Sequence, residues 1–337
     1  MGEHDLAVLI ARFQPPHRFH LALIRRGLAQ APRVLVLSGA ARRARSTETP
    51  FRFEEVRACL LGALGAEERA LVEVLPLMDR YEEEAWRAEL AAAAGSAARV
   101  VVVGAGGEEL ARIGRFFPDW AAGNAAEGGA RTKEIREDYL AGAEAALARW
   151  RDELPGNVEE FLRAFAGSAE YGALAEEAAY IAEYRAAWAG APWPPIFVTV
   201  DAVVICGGRV LLVERANAPG KGLWALPGGF VEVAERIRAA MLRELAEETG
   251  LAMAEGEIAA RIRDVRVFDA PCRSARGRTI THAFLILLEE GREPPKVAGG
   301  DDAARAFWTE IEEIEPERMF EDHWQIIEAM LASGRGG

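Results

Sequence analysis

Short apolar runs alternate with segments of helical spacing through the first half of the chain. Residues 6–10 (LAVLI), 33–37 (RVLVL), 71–75 and 99–103 (RVVVV) have the length and aliphatic content of buried strands. Between them, Leu21, Ile24 and Leu28 mark one face of a helix over residues 18–30, and helices are also expected over 53–64 and 82–94. Strands alternating with helices predict an α/β unit with a doubly wound parallel sheet. Residues 133–188 carry only helical patterns, broken near Pro155-Gly156 and Gly167. Beyond residue 195 the pattern changes. Residues 197–206 and 209–214 flank Gly207-Gly208, a hairpin signal. A helix is expected over 234–249, strand-like runs over 257–268, 279–288 and 304–309, and a last helix over 320–332. Hairpins with segregated helices predict an α+β unit.

Gly190-Ala-Pro-Trp-Pro-Pro195 is the clearest punctuation in the sequence. It suggests one domain over residues 1–190, with a helical C-terminal part, and a second over 196–337. The length of 337 residues suits two or three domains. Half of the residues are hydrophobic and 28% are charged, so wholesale disorder is not expected. Cys59, Cys206 and Cys272 are too few and too scattered for a disulfide framework or a CxxC metal pair. The first residues, Met-Gly-Glu-His-Asp, are acidic where a secretory signal would be basic, and no apolar run is long enough to span a bilayer. A cytoplasmic protein is expected, with no membrane partner. The net charge of −13 disfavours nucleic acid. Acid dominates on both sides of Pro195. Two windows run the other way: residues 1–52 hold nine arginines against three acids, and 261–278 hold six against two. Basic windows in an acidic chain are candidate phosphate sites, with a solvated face as the alternative.

The strongest chemical signal is Gly229-x5-Glu235-x7-Arg243-Glu244-Leu245-x-Glu247-Glu248-x-Gly250-Leu251. On a helix, Glu244, Glu247 and Glu248 share one face. Three carboxylates in one turn repel each other unless a hard divalent cation neutralises them. Gly228-Gly229 lets the backbone bend before the helix. This segment resembles the Nudix box at all nine of its defining positions. The resemblance implies hydrolysis of a nucleoside diphosphate linked to another moiety. It also implies that Glu244, Glu247 and Glu248 bind Mg²⁺ or Mn²⁺ or that one of them is the base, and that Arg243 orients a carboxylate. Residues 218–230, with Gly228 and Gly229, are similar to the family's approach loop. Residues 267–282, with Arg273 and Arg278, are similar to Nudix domains acting on ADP-ribose, so those arginines are expected to grip phosphate. Asp301 or Asp302 stands where the family adds a metal ligand; a turn or cap is the alternative.

A second motif, Arg12-Phe-Gln-Pro-Pro-His17-Arg-Phe-His20, follows the first strand and opens the first helix. A helix N-terminus beside His and Arg suits phosphates. The segment resembles the nucleotidyltransferase motif G-R-F-x-P-x-H-x-G-H. The whole chain resembles the two-domain family that joins nicotinamide mononucleotide (NMN) adenylyltransferase to an ADP-ribose pyrophosphatase. By that resemblance His17 and His20 are catalytic, and Arg12, Gln14 and Arg136 bind substrate. Departures are visible. Phe19 replaces the glycine between the histidines, residues 38–43 lack the family's His-Arg, and Arg131-Thr-Lys-Glu-Ile-Arg136 keeps only the Ile-Arg of Ser-Ser-Thr-x-Ile-Arg.

The expectation is therefore a Mg²⁺-dependent hydrolase that converts ADP-ribose to AMP and ribose 5-phosphate. It is fused to an adenylyltransferase-like domain whose synthesis of NAD from NMN and ATP is left open. The partners are small nucleotides, and a homodimer is not excluded. Three alternatives stand: an N-terminal domain that only binds a ligand or dimerises, another nucleoside diphosphate derivative as substrate, and a ligand-sensing regulator. The last lacks a winged-helix pattern after the box.

Overall fold

The computed structural model describes residues 3–104, 107–123, 131–288, 293–300 and 302–334. The chain divides into two compact units, Met1–Ala178 and Ala179–Gly337. The last nine residues of the helix preceding the Pro-rich segment, Ala179–Ala187, belong to the second unit. There Tyr184 and Trp188 pack on Phe197, and Arg185 donates to the Ala275 carbonyl.

Unit 1 contains β1 (Leu6–Ala11), α1 (Arg18–Gln30), β2 (Val34–Ser38), α2 (Phe53–Gly62), α3 (Ala66–Leu71), β3 (Val72–Pro76), α4 (Glu83–Ala94), β4 (Val100–Val102), α5 (Gly107–Phe116), β5 (Ala121–Ala122), α6 (Thr132–Ala141), α7 (Ala143–Arg149), α8 (Gly156–Phe165) and α9 (Ala169–Ala187), whose last residues belong to unit 2. Its sheet has the order β3-β2-β1-β4-β5, parallel throughout. The doubly wound expectation holds, and the alternation of side chains along the strands accounts for it. Ala7, Leu9, Val34, Val36 and Val101 face one core, and Leu6, Val8, Ile10, Leu35, Leu37, Val100 and Val102 face another. Helices α6 to α8 close the first core with Ile135, Tyr139, Leu147, Val158 and Leu162.

Unit 2 contains β6 (Ile196–Cys206), β7 (Arg209–Arg215), β8 (Trp224–Ala225), β9 (Gly228–Phe230), α10 (Ile237–Thr249), α11 (Glu255–Ala260), β10 (Ile262–Phe268), β11 (Arg278–Leu287), β12 (Ala303–Glu310) and α12 (His323–Gly334). Its mixed sheet runs β10-β11-β6-β7-β12, with β8 on β7 and β9 on β6. The β6–β7 hairpin turns through Gly207 and Gly208, both at positive φ, which explains two glycines in that turn. Met241 and Leu245 press one face of α10 onto Val200, Ala202 and Val204 of β6, and that packing sets the helix above the sheet.

One expectation fails. Residues 257–260 are helix, not strand. The run Glu-Gly-Glu-Ile-Ala-Ala has little β-branched content, and the Glu257 carboxylate accepts from the Ala254 N–H at the start of α11. The strand begins only at Ile262. The short elements α3, α5 and β5 were not anticipated.

The first core depends on tight packing around β1. Leu9 is 1% exposed. Leu9→Ala is expected to cost about 2–5 kcal/mol in the unfolding transition of unit 1, measured by denaturant titration. A loss below about 1 kcal/mol would mean that this core is not packed as described.

Candidate functional site

In unit 2 the site is built on the C-terminal half of α10 and on β9, the strand that precedes the helix. Strand β9 pairs antiparallel with β6, with Gly228 opposite Asp201 and Gly229 opposite Val200. The approach is too close for side chains. A Cβ on Gly228 would stand 2.1 Å from the Val200 carbonyl oxygen, and one on Gly229 would stand 2.4 Å from Oε1 of Glu244. Gly229 thus lets the carboxylate of Glu244 lie directly on the backbone of β9, and Gly228 lets β9 approach β6 closely.

Arg243 organises the acids. Its Nη2 and Nε donate to Glu235 at 2.7 and 3.1 Å, and its Nη1 donates to Glu244 and Glu247, each at 2.9 Å. Nη2 also reaches the Phe230 carbonyl at 3.2 Å. These carboxylate bonds hold the guanidinium well above its usual range. The same pairing with Arg243 holds the Glu235 carboxyl below the usual range. Glu248 lies apart from this arginine. It is buried, and its Oε2 accepts the Gly228 N–H at 2.9 Å. Oε1 of Glu248 accepts no hydrogen bond among the described residues. Burial, reinforced by the Glu244 and Asp201 charges, pushes the Glu248 carboxyl up to about 8.

The arrangement therefore carries more negative charge than Arg243 balances. It presents oxygen donors only, and Gly229 leaves the Glu244 carboxylate room. These features fit a hard divalent cation. Among the described residues no three His, Cys, Asp or Glu side chains converge as a ready-made ligand set, because Arg243 draws Glu244 and Glu247 toward itself. Asp302 is exposed and its Oδ1 accepts from Asn217 at 2.8 Å, while Asp301 lies outside the described residues.

The two arginines expected to grip phosphate are engaged elsewhere. Arg273 is 4% exposed and forms a bidentate pair with Asp322, at 3.0 and 2.9 Å. It is a buried cation held by that pair. Arg278 donates to the Asp269 carbonyl and stands 3.8 Å from its carboxylate. Asp201 and His323 lie beside this buried pair, and the sequence assigns a role to neither, although residues 321–325 belong to the stretch that resembles the family. The available signal was Asp201, a lone acid inside the apolar run Val-Asp-Ala-Val-Val.

In unit 1, His17 caps the start of α1. Its backbone N–H donates to Nδ1 of His20 at 3.2 Å, and its Nε2 is 3.0 Å from Oγ1 of Thr132 on α6. Nδ1 of His17 is buried without a partner. Burial lowers the His17 imidazole to about 4 and holds His20 well below the usual range, so both rings are neutral near pH 7. Phe19 stacks beside His17, with ring centroids 6.2 Å apart. Gln14 is not free for a substrate: its amide donates to the Phe51 carbonyl and accepts the Phe51 N–H, at 2.8 and 3.0 Å. Arg136 is buried and pairs with Glu48 at 2.6 Å. Arg12 is 3.4 Å from Asp79, which also pairs with Arg43.

A NUDIX domain model matches residues 195–330. The crystal structure of a bifunctional NMN adenylyltransferase/ADP ribose pyrophosphatase from Francisella tularensis, complexed with AMP and a Mn ion, is 32% identical. It superposes with a TM-score of 0.88, covering 98% of this chain and 99% of that one. An ADP-ribose pyrophosphatase of Methanocaldococcus jannaschii is 35% identical over 130 residues, 39% of this chain and 70% of the relative. A nicotinamide/nicotinic acid mononucleotide adenylyltransferase of Acinetobacter baylyi is 30% identical over 124 residues, 36% of this chain and 66% of the relative. Among the described residues no helix is long and apolar enough to cross a membrane.

The neutral state of His17 makes a pH-dependent claim. Its folded value of about 4 lies below the ordinary 6.5, so the unfolded chain takes up a proton that the folded chain refuses. The stability contributed is present above pH 6.5 and is lost as pH falls through this window toward 4. Denaturant titrations of unit 1 between pH 7 and pH 4 should show a smaller acid loss for His17→Asn than for the unmodified chain. Equal losses would mean that His17 is not buried as a neutral ring.

Proposed function

The chain belongs to the family of bifunctional NMN adenylyltransferase/ADP-ribose pyrophosphatases with a C-terminal Nudix domain, and from that membership we propose that its unit 2 hydrolyses ADP-ribose to AMP and ribose 5-phosphate. The functional boundary in this reading is the Pro-rich segment at residues 190–195. The observation that carries the proposal is the Glu244–Glu247–Glu248 turn, held on Gly228 and Gly229 and organised by Arg243.

Glu244 and Glu247 would hold Mg²⁺ or Mn²⁺, with Asp301 or Asp302 as the ligand from outside the helix. A bound divalent cation supplies charge stabilisation at the diphosphate oxygens and lowers the pKa of the attacking water. Arg243 keeps Glu244 and Glu247 on one side of the turn and offsets their mutual repulsion. Glu248 has the properties of the base. Its Oε2 is fixed by the Gly228 N–H, and its buried carboxylate has raised basicity. Oε1 is assigned to take the proton of the water. The water oxygen forms the new bond to phosphorus as the bridging P–O bond breaks, so one phosphate leaves with AMP and the other with ribose.

For unit 1 the specific observations favour a second reading, a ligand-binding or dimerisation module with the adenylyltransferase fold. Phe19 occupies the place of a glycine beside His17, Gln14 is committed to Phe51, and both histidines are neutral and internally bonded. A nucleotide phosphate would find neither a cationic imidazole nor open backbone there.

Two incubations test these assignments. With ADP-ribose and Mg²⁺ the chain should release AMP, and Glu247→Gln and Glu248→Gln should each lower kcat by about 10²–10⁴ while leaving the fold intact. Absence of AMP from the unmodified chain would remove the Nudix assignment. With NMN, ATP and Mg²⁺ no NAD should form, and NAD formation would overturn the second reading of unit 1.

A further inference from the structure

The backbone that fixes Glu248 is itself gripped by buried side chains that the proposed reaction does not use. Leu226 N–H donates to Nδ1 of His323 at 2.9 Å. His323 opens α12 and is 6% exposed. Three residues earlier, the Phe320 N–H donates to the Trp224 carbonyl at 2.8 Å, and Met319 bridges Trp224. The segment entering α12 therefore runs along residues 224–226, immediately ahead of Gly228. Asp322, 1% exposed, is anchored in turn by both Nε and Nη2 of Arg273. Beside them Asp201 accepts from Thr281 Oγ1 at 2.5 Å and stands 3.8 Å from Nε2 of His323 and 3.9 Å from Nη2 of Arg273.

Ion pairs buried this deeply are weak contributors to stability, because desolvation offsets their attraction and packed aliphatic groups would serve as well. What the set does provide is one continuous path. It leads from Arg273 to Asp322, to the adjacent His323, to the Leu226 N–H, and two residues on to the Gly228 N–H that bonds Glu248. A shift of His323 would move the 224–228 backbone, and with it the donor that orients the carboxylate.

We infer that His323, held by the Arg273–Asp322 pair, is a positioning residue for Glu248, acting through the backbone of residues 226–228. The inference rests on the reading of unit 2 given above. Outer partners of this kind commonly alter activity by about 10–100-fold when removed.

The test joins two measurements on the full chain. Hydrogen exchange reads the amides of Leu226, Gly228 and Gly229 without any substrate, and steady-state kinetics use ADP-ribose with Mn²⁺. His323→Leu removes the acceptor for the Leu226 N–H. It should speed exchange at those amides, leave residues 210–213 unchanged, and lower kcat about tenfold or more with KM unchanged. His323→Asn, whose Oδ1 stands near the place of Nδ1, should recover most of both. Unchanged exchange in His323→Leu, faster exchange with unchanged kcat, or no recovery in His323→Asn would each overturn the inference. If His323→Leu does not fold, Arg273→Lys, which loses the bidentate pair, takes its place with the same readouts. An unmodified chain that leaves ADP-ribose intact would count against the hydrolase reading, while exchange would still decide the positioning role.

Discussion

A single guanidinium, Arg243, is shared among three carboxylates, and a fourth carboxylate, Glu248, is buried beside them without it. Much of the second unit is arranged around that imbalance. The acids would repel one another on an isolated helix. Here the helix is pinned to β6 by Met241 and Leu245, so the turns that carry the acids cannot open to separate the charges. Glu244 is laid on Gly229, and Glu248 is tied to Gly228. The remaining negative charge must be met by a proton or a cation. The raised Glu248 carboxyl is the proton solution, and a divalent ion is the catalytic one.

The first unit presents the reverse case. Its parallel sheet and the turn after β1 provide the architecture of a nucleotide site, yet several polar side chains there are bonded within the protein. His17 meets Thr132, Gln14 meets Phe51, and Arg136 meets Glu48. On the reading proposed for unit 1, fold and chemistry would have separated, since a shared fold does not by itself carry an activity.

The alternation of apolar runs and helical spacing was enough to read the architecture, because the central strands β1, β2 and β4 of unit 1 are flanked by cores on both faces and therefore appear as short continuous aliphatic runs. Short elements without such a signature were missed: α3 buries no residue, and β5 is two alanines long. The carboxylate turn was legible from spacing alone, since residues 244, 247 and 248 must share a helical face. The buried pairing of Arg273 with Asp322 was not legible for a physical reason. An Arg-rich window announces charge but not its partner, and Asp322 lies 49 residues away in sequence. The role of His323 was invisible for the same reason, because a backbone N–H acceptor leaves no mark on composition.

The central claim is that the Glu244–Glu247–Glu248 turn needs a divalent cation to balance its charge. The most direct measurement is the unfolding transition of unit 2 with and without Mn²⁺, at neutral pH and in the absence of nucleotide. The account expects Mn²⁺ at a hundredfold excess over its dissociation constant to stabilise unit 2 by about 2.7 kcal/mol, with no such gain in a Glu244→Gln, Glu247→Gln double variant. No gain in the unmodified chain, or an equal gain in the double variant, would contradict it.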